Sequence, residues 1–495
     1  MVEQTGGAAP PEPPRDRLVE TKHRVLVGGR ELRYTATAGT IVLREEASKD
    51  GEGGPRVEPE QARAAIFFVA YTLDGVADRR TRPITFAFNG GPGSSSVWLH
   101  LGLLGPRLAP MDDEGRPPPP PYRLADNEHT LLEVSDLVFI DPVNTGYSRV
   151  LPGEPAAQFH GFRRDIEAVG DFIRLYTTRY GRWVSPKFLA GESYGTTRAA
   201  GLAGYLQDRH GLYLNGLMLI SAVLSFQTLE FQPGNDLPYL LFLPSYTATA
   251  FYHGALPGEL GGDLRAALAE AEAFALGPYA TALLRGSALP DEEREQIAAR
   301  LARLTGLSPQ YVARCDLRIR DDRFVKELLR ESGRTVGRLD SRFKGIDRDA
   351  AGERAEFDPS LAAIMGPYTA ALNDYVRSEL KFECDLPYEI LTDRVHPWRA
   401  DHENRYIDVA ETLRAQMSRN PHLRVHIASG YYDLATPYFA TDYTVNHLGL
   451  DPSLRGNVSV SYYEAGHMMY IHKPSLVKLR EELGAFVRQA SGGEG

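Results

Sequence analysis

Cysteine is nearly absent. Cys315 and Cys384 are the only two in 495 residues, so there is no disulfide framework, although these two could pair. An excess of positive charge is also lacking. The formal net charge is −10, which argues against a general nucleic-acid binder. No apolar run approaches the roughly 20 residues that span a bilayer; Ala64–Tyr71 is among the longest. The start, Met1–Arg17, is rich in proline and glycine and has no apolar segment of the kind a secretory signal needs. As written, the chain is expected to be soluble and cytoplasmic; removal of a leader would make it periplasmic or secreted. No internal repeat is evident. What is plentiful is apolar content, at 43%, enough for a sizeable core in one large domain or two ordinary ones. Composition leaves the oligomeric state open.

The chain is organised around Lys187–Gly195. An apolar strand runs into Gly191-Glu192-Ser193-Tyr194-Gly195, and a helix-compatible stretch follows. Strand, tight turn and helix around Gly-x-Ser-x-Gly is the context of a nucleophile elbow, which lifts its serine above a sheet. The two glycines remove Cβ atoms where strand and helix crowd together.

Around this point the pattern alternates. Residues 1–20 are expected to be a disordered tail, and His23–Arg44 a meander of edge strands. Gly51–Pro59 reads as a charged, glycine-rich turn and Pro117–Pro121 as a stiff loop. Ala64–Tyr71, Ile84–Phe88, Leu137–Ile140 and Leu217–Ile220 are apolar strands, and Phe162–Tyr180 is an amphipathic helix with Ile166, Val169, Phe172, Ile173 and Tyr176 on one side. Continuous apolar strands alternating with helices imply a mostly parallel sheet covered on both faces. From 227 to 392 the pattern becomes mainly helical, at Asp263–Leu276, Asp291–Thr305, Arg323–Glu331 and Leu361–Leu380. The α/β rhythm returns with a helix over Glu403–Met417, strands at Leu423–Ala428 and Val458–Tyr463, and a helix over Pro474–Ala490. The expected organisation is therefore an α/β core over 21–226 and 393–490, interrupted by a helical cap over 227–392.

A serine nucleophile needs a base, and the base an orienting acid. His467 follows the strand ending at Tyr463, and Asp433 the strand before it. Both would lie at strand C-terminal ends, where open α/β sheets gather their sites. His447 and His472 compete for the base, Asp442 and Asp451 for the acid. An oxyanion needs N–H donors. One is the backbone of Tyr194, after the nucleophile; a second is expected from Asn89–Ser96, the loop after Ile84–Phe88. A phosphate loop is the rival reading of that stretch, but its lysine is missing.

Asn-Gly-Gly-Pro-Gly-x-Ser-Ser at 89–96, Gly-Glu-Ser-Tyr-Gly at 191–195, Gly-x-x-Asp-x-x-x-Pro at 430–437 and Gly-His-Met at 466–468 together resemble the serine carboxypeptidases of the α/β-hydrolase fold. Asp141–Ser148 is similar to a further motif of that family. The resemblance spans about 84–474, with a weakly matching cap. It implies a triad of Ser193, Asp433 and His467, and an oxyanion hole of the Gly91 and Tyr194 N–H groups. It also implies that Asn89, Gly90 and Glu192 hold the terminal carboxylate of a peptide, with no metal and no cofactor. The sequence departs from the family at three points. Ala87 stands where the family has tryptophan, Ser94 where it has cysteine, and Leu103 where a glutamate commonly pairs with the carboxylate-binding one. The reading is thus a serine carboxypeptidase acting on peptides, with no nucleic-acid or membrane partner; the alternative is an esterase or acyltransferase using the same triad.

Overall fold

Consecutive side chains of the central strands feed two different cores. Phe188, Ala190, Met218 and Ile220 enter one hydrophobic cluster, while Leu189, Leu217 and Leu219 enter another on the opposite side. A strand buried on both faces needs no polar alternation, which is why these segments read as unbroken apolar runs. The structure is a computed structural model that describes residues 14–45, 48–49, 56–57, 60–401, 403 and 405–492.

The sheet is built from β1 (Arg17–Val27), β2 (Arg30–Glu45), β3 (Gln61–Leu73), β4 (Ile84–Phe88), β5 (Asp136–Ile140), β6 (Lys187–Ser193), β7 (Gly216–Ala222), β8 (Arg424–Gly430) and β9 (Val458–Tyr463). Their spatial order is β1-β2-β3-β5-β4-β6-β7-β8-β9. The six strands from β5 to β9 are mutually parallel, and β1 to β3 add an antiparallel edge. One face is covered by α1 (Phe162–Arg179), α2 (Tyr194–His210) and the later α7 (Ala410–Arg419). The five apolar residues assigned to one side of α1 all lie in that core. The other face is covered by α6 (Pro359–Ser378) and α9 (Lys473–Ala490). The chain leaves β4 toward β5 on one side and β6 toward β7 on the other, and β4 and β6 lie side by side. Their C-terminal ends therefore open the crevice that such sheets use for ligands.

The inserted region holds α3 (Leu237–Tyr252), α4 (Leu264–Phe274) and α5 (Asp291–Thr305), and also α6, which packs on the sheet instead. The first three share a third core with Tyr431, Leu434 and Tyr438 beside β8, the last of these at the start of α8 (Tyr438–Asn446).

Several expectations are corrected. The tail expected over 1–20 ends earlier: β1 begins at Arg17, which pairs with Thr40, and the register continues to Val27 opposite Arg30. Cross-strand pairing overrides a polar start. The turn expected at Gly51–Pro59 lies outside the described residues except for Arg56 and Val57. The helix expected at Glu403 starts at Ala410, whose N–H bonds the Asp408 carboxylate at 2.9 Å. Helix α3 has no counterpart in the sequence patterns because Leu241–Ala250 is buried all round and so lacks a polar face; it also carries Pro244 in its interior. The helical cap expected to run to 392 gives way sooner. After α6 the chain runs back along the core loops, with bridges pairing Glu389 with Gly146 and Leu391 with Ser94. Cys315 and Cys384 are free thiols.

Candidate active site

Ser193 occupies a backbone conformation that L-residues avoid, with φ 59° and ψ −131°. It ends β6 and precedes the first residue of α2. The turn is possible because its glycines have no side chains: a Cβ on Gly191 would lie 2.2 Å from the Gly195 carbonyl oxygen, and one on Gly195 2.8 Å from that of Phe88. The strain is held by the two neighbouring parallel strands, β4 and β7.

The loop after β4 presses against this elbow. A Cβ on Gly90 would lie 2.4 Å from the Tyr194 nitrogen, and Gly91 has φ +101°. Asn89 is fixed from two directions. Its Oδ1 accepts from the Leu99 N–H at 3.1 Å, and its carbonyl accepts from Arg198, a fully buried α2 residue whose Nε donates to Asp165 at 2.8 Å. Asn89 Nδ2 is buried without a hydrogen-bond partner. Farther along the loop, Asp141 Oδ1 accepts from the N–H and hydroxyl of Ser96, both at 2.9 Å. Burial pushes the Asp141 carboxyl up to about 6. Main-chain bonds from Ser95 to Ile390 and from Thr392 to Gly93 tie the loop down, and the Ser94 hydroxyl accepts from the Trp98 indole.

Asp433 and His467 follow β8 and β9, the next strands outward. Asp433 is completely buried. It accepts from the backbone N–H of Ala435 and Thr436, from the Thr436 hydroxyl, and from His467 Nδ1 at 2.7 Å. A proton on Nδ1 leaves Nε2 as the basic nitrogen. Burial pulls the imidazole pKa down, and the charge and hydrogen bond of Asp433 outweigh it; the net position is above the ordinary histidine value, with Glu192 adding to the rise.

Both loops are held by the inserted region. The His467 N–H bonds the Leu339 carbonyl, the Leu434 N–H the Arg338 carbonyl, and the Gly466 N–H the Asp340 carboxylate. Asp340 in turn makes a buried ion pair with Arg342 at 2.7 Å.

Glu192 is 3% exposed and its Oε2 accepts from the Tyr470 hydroxyl at 2.5 Å. Burial raises its pKa to about 7. His467, the Tyr470 hydrogen bond and the nearby Asn89 amide work in the opposite sense, and Asp433 adds to the rise. Asn89 thus stands near enough to favour the charged form without completing a bond. Leu103 is buried in the apolar core and its carbonyl accepts from Asn127; the polar group that reaches Glu192 is a tyrosine.

One cavity of about 470 Å³ brings Asn89, Gly90, Gly91, Glu192, Ser193, Tyr194 and His467 together. The inserted region contributes Leu339, Leu361 and Ile364 to its wall. Asp433 stands behind His467. The competing residues are elsewhere. His447 bonds its own helix at Tyr443, His472 bonds Ser475, Asp442 accepts from Tyr462, and Asp451 accepts from Ser453. Sequence reasoning missed Arg198, Tyr470, Thr436 and the Arg338–Arg342 segment. Only Thr436 carried a signal, as part of the Gly-x-x-Asp-x-x-x-Pro stretch. Among the described residues, no group of three or more His, Cys, Asp or Glu side chains could hold a metal, and no helix is long and apolar enough to cross a membrane. The arrangement offers a hydroxyl at a strained apex, an acid-fixed imidazole, backbone N–H groups and a neutralisable carboxyl around one space. That suits acyl transfer.

Residues 55–228 match the family model for serine carboxypeptidase. Among solved structures, the chain is similar to a prohormone-processing carboxypeptidase from Saccharomyces cerevisiae, with TM-score 0.54, 16% identity, and coverage of 92% of this chain and 91% of that one. It is more distantly similar to the juvenile hormone epoxide hydrolase of the silkworm Bombyx mori (TM-score 0.35, 10% identity, 92% and 79% covered). An α/β-hydrolase fold protein from Chitinophaga pinensis is likewise distant (TM-score 0.31, 9% identity, 90% and 97% covered). No curated protein matches the sequence. The fold is that of the α/β hydrolases, and the family resemblance carried by the motifs is a serine carboxypeptidase one.

Proposed function

We propose that this chain, a serine hydrolase on the serine carboxypeptidase pattern, removes C-terminal amino acids from peptides. Ser193 Oγ attacks the carbonyl carbon of the last peptide bond while His467 Nε2 takes its proton. Asp433 fixes the Nδ1–H tautomer and balances the imidazolium. The Gly91 and Tyr194 N–H groups receive the oxyanion. Collapse of the tetrahedral intermediate breaks the C–N bond. His467 protonates the departing amine, and water then cleaves the Ser193 ester by the same steps.

The observation that carries this reading is Glu192. Neither an internal peptide bond nor an uncharged ester presents a negative charge that calls for a protonatable carboxyl beside the nucleophile. A substrate carboxylate does, provided the proton is present: two negative charges at about 4 Å repel by roughly 4 kcal/mol at an effective dielectric of 20, and a neutral carboxyl donates a hydrogen bond instead. With burial holding Glu192 at about 7, the neutral form is available below neutral pH. Asn89 Nδ2, buried and unpartnered, offers a second donor. The test is mass spectrometry of a mixed peptide library after incubation, with matched free-acid and amidated members. Stepwise shortening from free C-termini, with the amidated members spared at low pH, is the expected result. Equal cleavage of both classes, or transfer of acyl groups to added alcohols without shortening, would replace the carboxypeptidase reading with an esterase or acyltransferase one.

A further inference from the structure

Among the described residues, Glu192 has one hydrogen-bonded side-chain partner, the hydroxyl of Tyr470. Tyr470 lies three residues beyond His467, in the one-turn helix Met469–Ile471, so the loop that presents the imidazole also presents this phenol. Its ring is closely confined. A Cβ on Gly102 would stand 2.5 Å from Tyr470 Cε2 and 2.6 Å from the Tyr368 hydroxyl, and neither tyrosine exceeds 1% exposure. A second cavity, of about 210 Å³ and bordered by Asp112, Asp126 and His129, touches both tyrosines. The groups facing Glu192 come from every neighbouring element: Asn89 after β4, Asp433 after β8, His467 and Tyr470 after β9, and Tyr368 from α6. Arg338, which faces His467, and Asp358, Asp393 and His396 line the same cavity as Glu192.

We infer that Tyr470 is the positioning residue of Glu192: its hydroxyl occupies Oε2 and so directs the carboxyl proton to Oε1, the atom left to meet substrate. The reasoning is one of satisfied lone pairs. A neutral carboxyl carries one proton, and an oxygen already accepting from a phenol is the carbonyl-like one. The proton therefore sits on the other. A carboxyl partner would compete for the same proton, and the pair would titrate as one coupled system. A phenol does not compete. Burial moves the Tyr470 hydroxyl well above its ordinary range, so it remains a donor wherever the enzyme works. This rests on the carboxypeptidase reading for its substrate consequence, but the Tyr470–Glu192 relation is a property of the free protein.

The experiment is an infrared titration of protein carrying isotope-labelled glutamate, with Glu192→Gln identifying the Glu192 band. It is run on the wild type and on Tyr470→Phe. Loss of the donor removes an interaction that favours the ionised form, so the Glu192 midpoint should move up by about one pH unit. The alkaline fall in kcat/KM for free-acid peptides should move with it. Below pH 6 KM for those peptides should rise several-fold, because the proton is then shared between both oxygens. An unmoved midpoint in Tyr470→Phe that still reacts with a fluorophosphonate at Ser193 overturns the inference. The wild type gives an independent reading: the phenol band of labelled Tyr470 must change as Glu192 titrates, and a band that stays constant overturns the inference even where the variant does not fold. If free-acid and amidated peptides give superimposable profiles while the infrared midpoint moves, the carboxypeptidase reading fails and the Tyr470 assignment stands.

Discussion

Asp433 and Glu192 are both buried carboxylates beside His467, and their surroundings differ sharply. Asp433 accepts four hydrogen bonds, three of them from its own loop. Glu192 accepts one, from Tyr470, and the nearest amide donor, Asn89 Nδ2, is unspent. A carboxylate saturated with donors is a fixed charge and serves to hold something else still. A buried carboxyl with one donor has its pKa raised toward neutrality, and its other oxygen has no hydrogen-bond partner among the described residues. On the proposed reading, one side of the cavity serves steady chemistry and the other conditional recognition. The first should govern all substrates alike, and the second only those with a free carboxylate.

The most severe way to break the steady side is to remove its nucleophile. Ser193→Ala should lose a factor of roughly 10⁴–10⁶ in kcat on peptides and on small activated esters alike, and should lose fluorophosphonate labelling. Asp433→Asn should cost about 10⁴ on both substrate types by favouring the wrong tautomer. A loss confined to peptides would contradict the division between the two sides.

Next in size is the support beneath Asp433 and His467. Asp340→Ala removes the acceptor of the Gly466 N–H and leaves Arg342 buried without its partner. Breaking a buried pair from one side costs on the order of 3–5 kcal/mol, so thermal melting should fall by several degrees. Peptide and ester turnover should fall together, because Leu339 and Asp340 hold the His467 loop. Preserved ester turnover in this variant would show that the inserted region only shapes substrate preference.

Glu192→Gln sharpens the conditional side. With a pKa of about 7, wild-type Glu192 is mostly neutral at pH 6 and mostly ionised at pH 8. For free-acid peptides kcat/KM should drop roughly tenfold across that interval, while amidated peptides and esters should lack the drop. Glutamine donates at any pH and should remove it. Paired pH–rate series check this, and a persisting drop in the variant would move the titration to another group.

The smallest effect expected is on the acid limb for esters. Ionised Glu192 raises the His467 pKa, so its neutral replacement should move that limb to lower pH. An upward move would mean that His467 does not respond to this charge.

Much of the site was legible in the chain because its parts are local. Gly191 and Gly195 announce a turn that only glycine permits, and Asp433 and His467 each follow a recognisable strand. Strands β4 to β7 were readable for a similar reason: burial on both faces leaves a nearly continuous apolar run, whereas β9, at the sheet edge, is only partly buried. What was not readable lacks such a local mark. Tyr470 is one of 25 tyrosines. Arg198 lies on α2 like any other polar helix residue. Helix α3 has no amphipathic pattern because it is enclosed on every side.

By itself, then, the sequence determined the kind of molecule: an α/β sheet, a serine at its elbow, an aspartate and a histidine after later strands in order, and a loop of glycines before them. Each of these depends on a few neighbouring residues whose backbone preferences do not need the rest of the chain. Only the tertiary structure decided which group reaches Glu192, and that Arg338–Arg342, some ninety residues before Asp433, clamps the loops of Asp433 and His467. Those outcomes depend on which distant surfaces meet in a close-packed interior, where a phenol rather than a second carboxyl fills the space beside Glu192, and no spacing along the chain encodes that meeting.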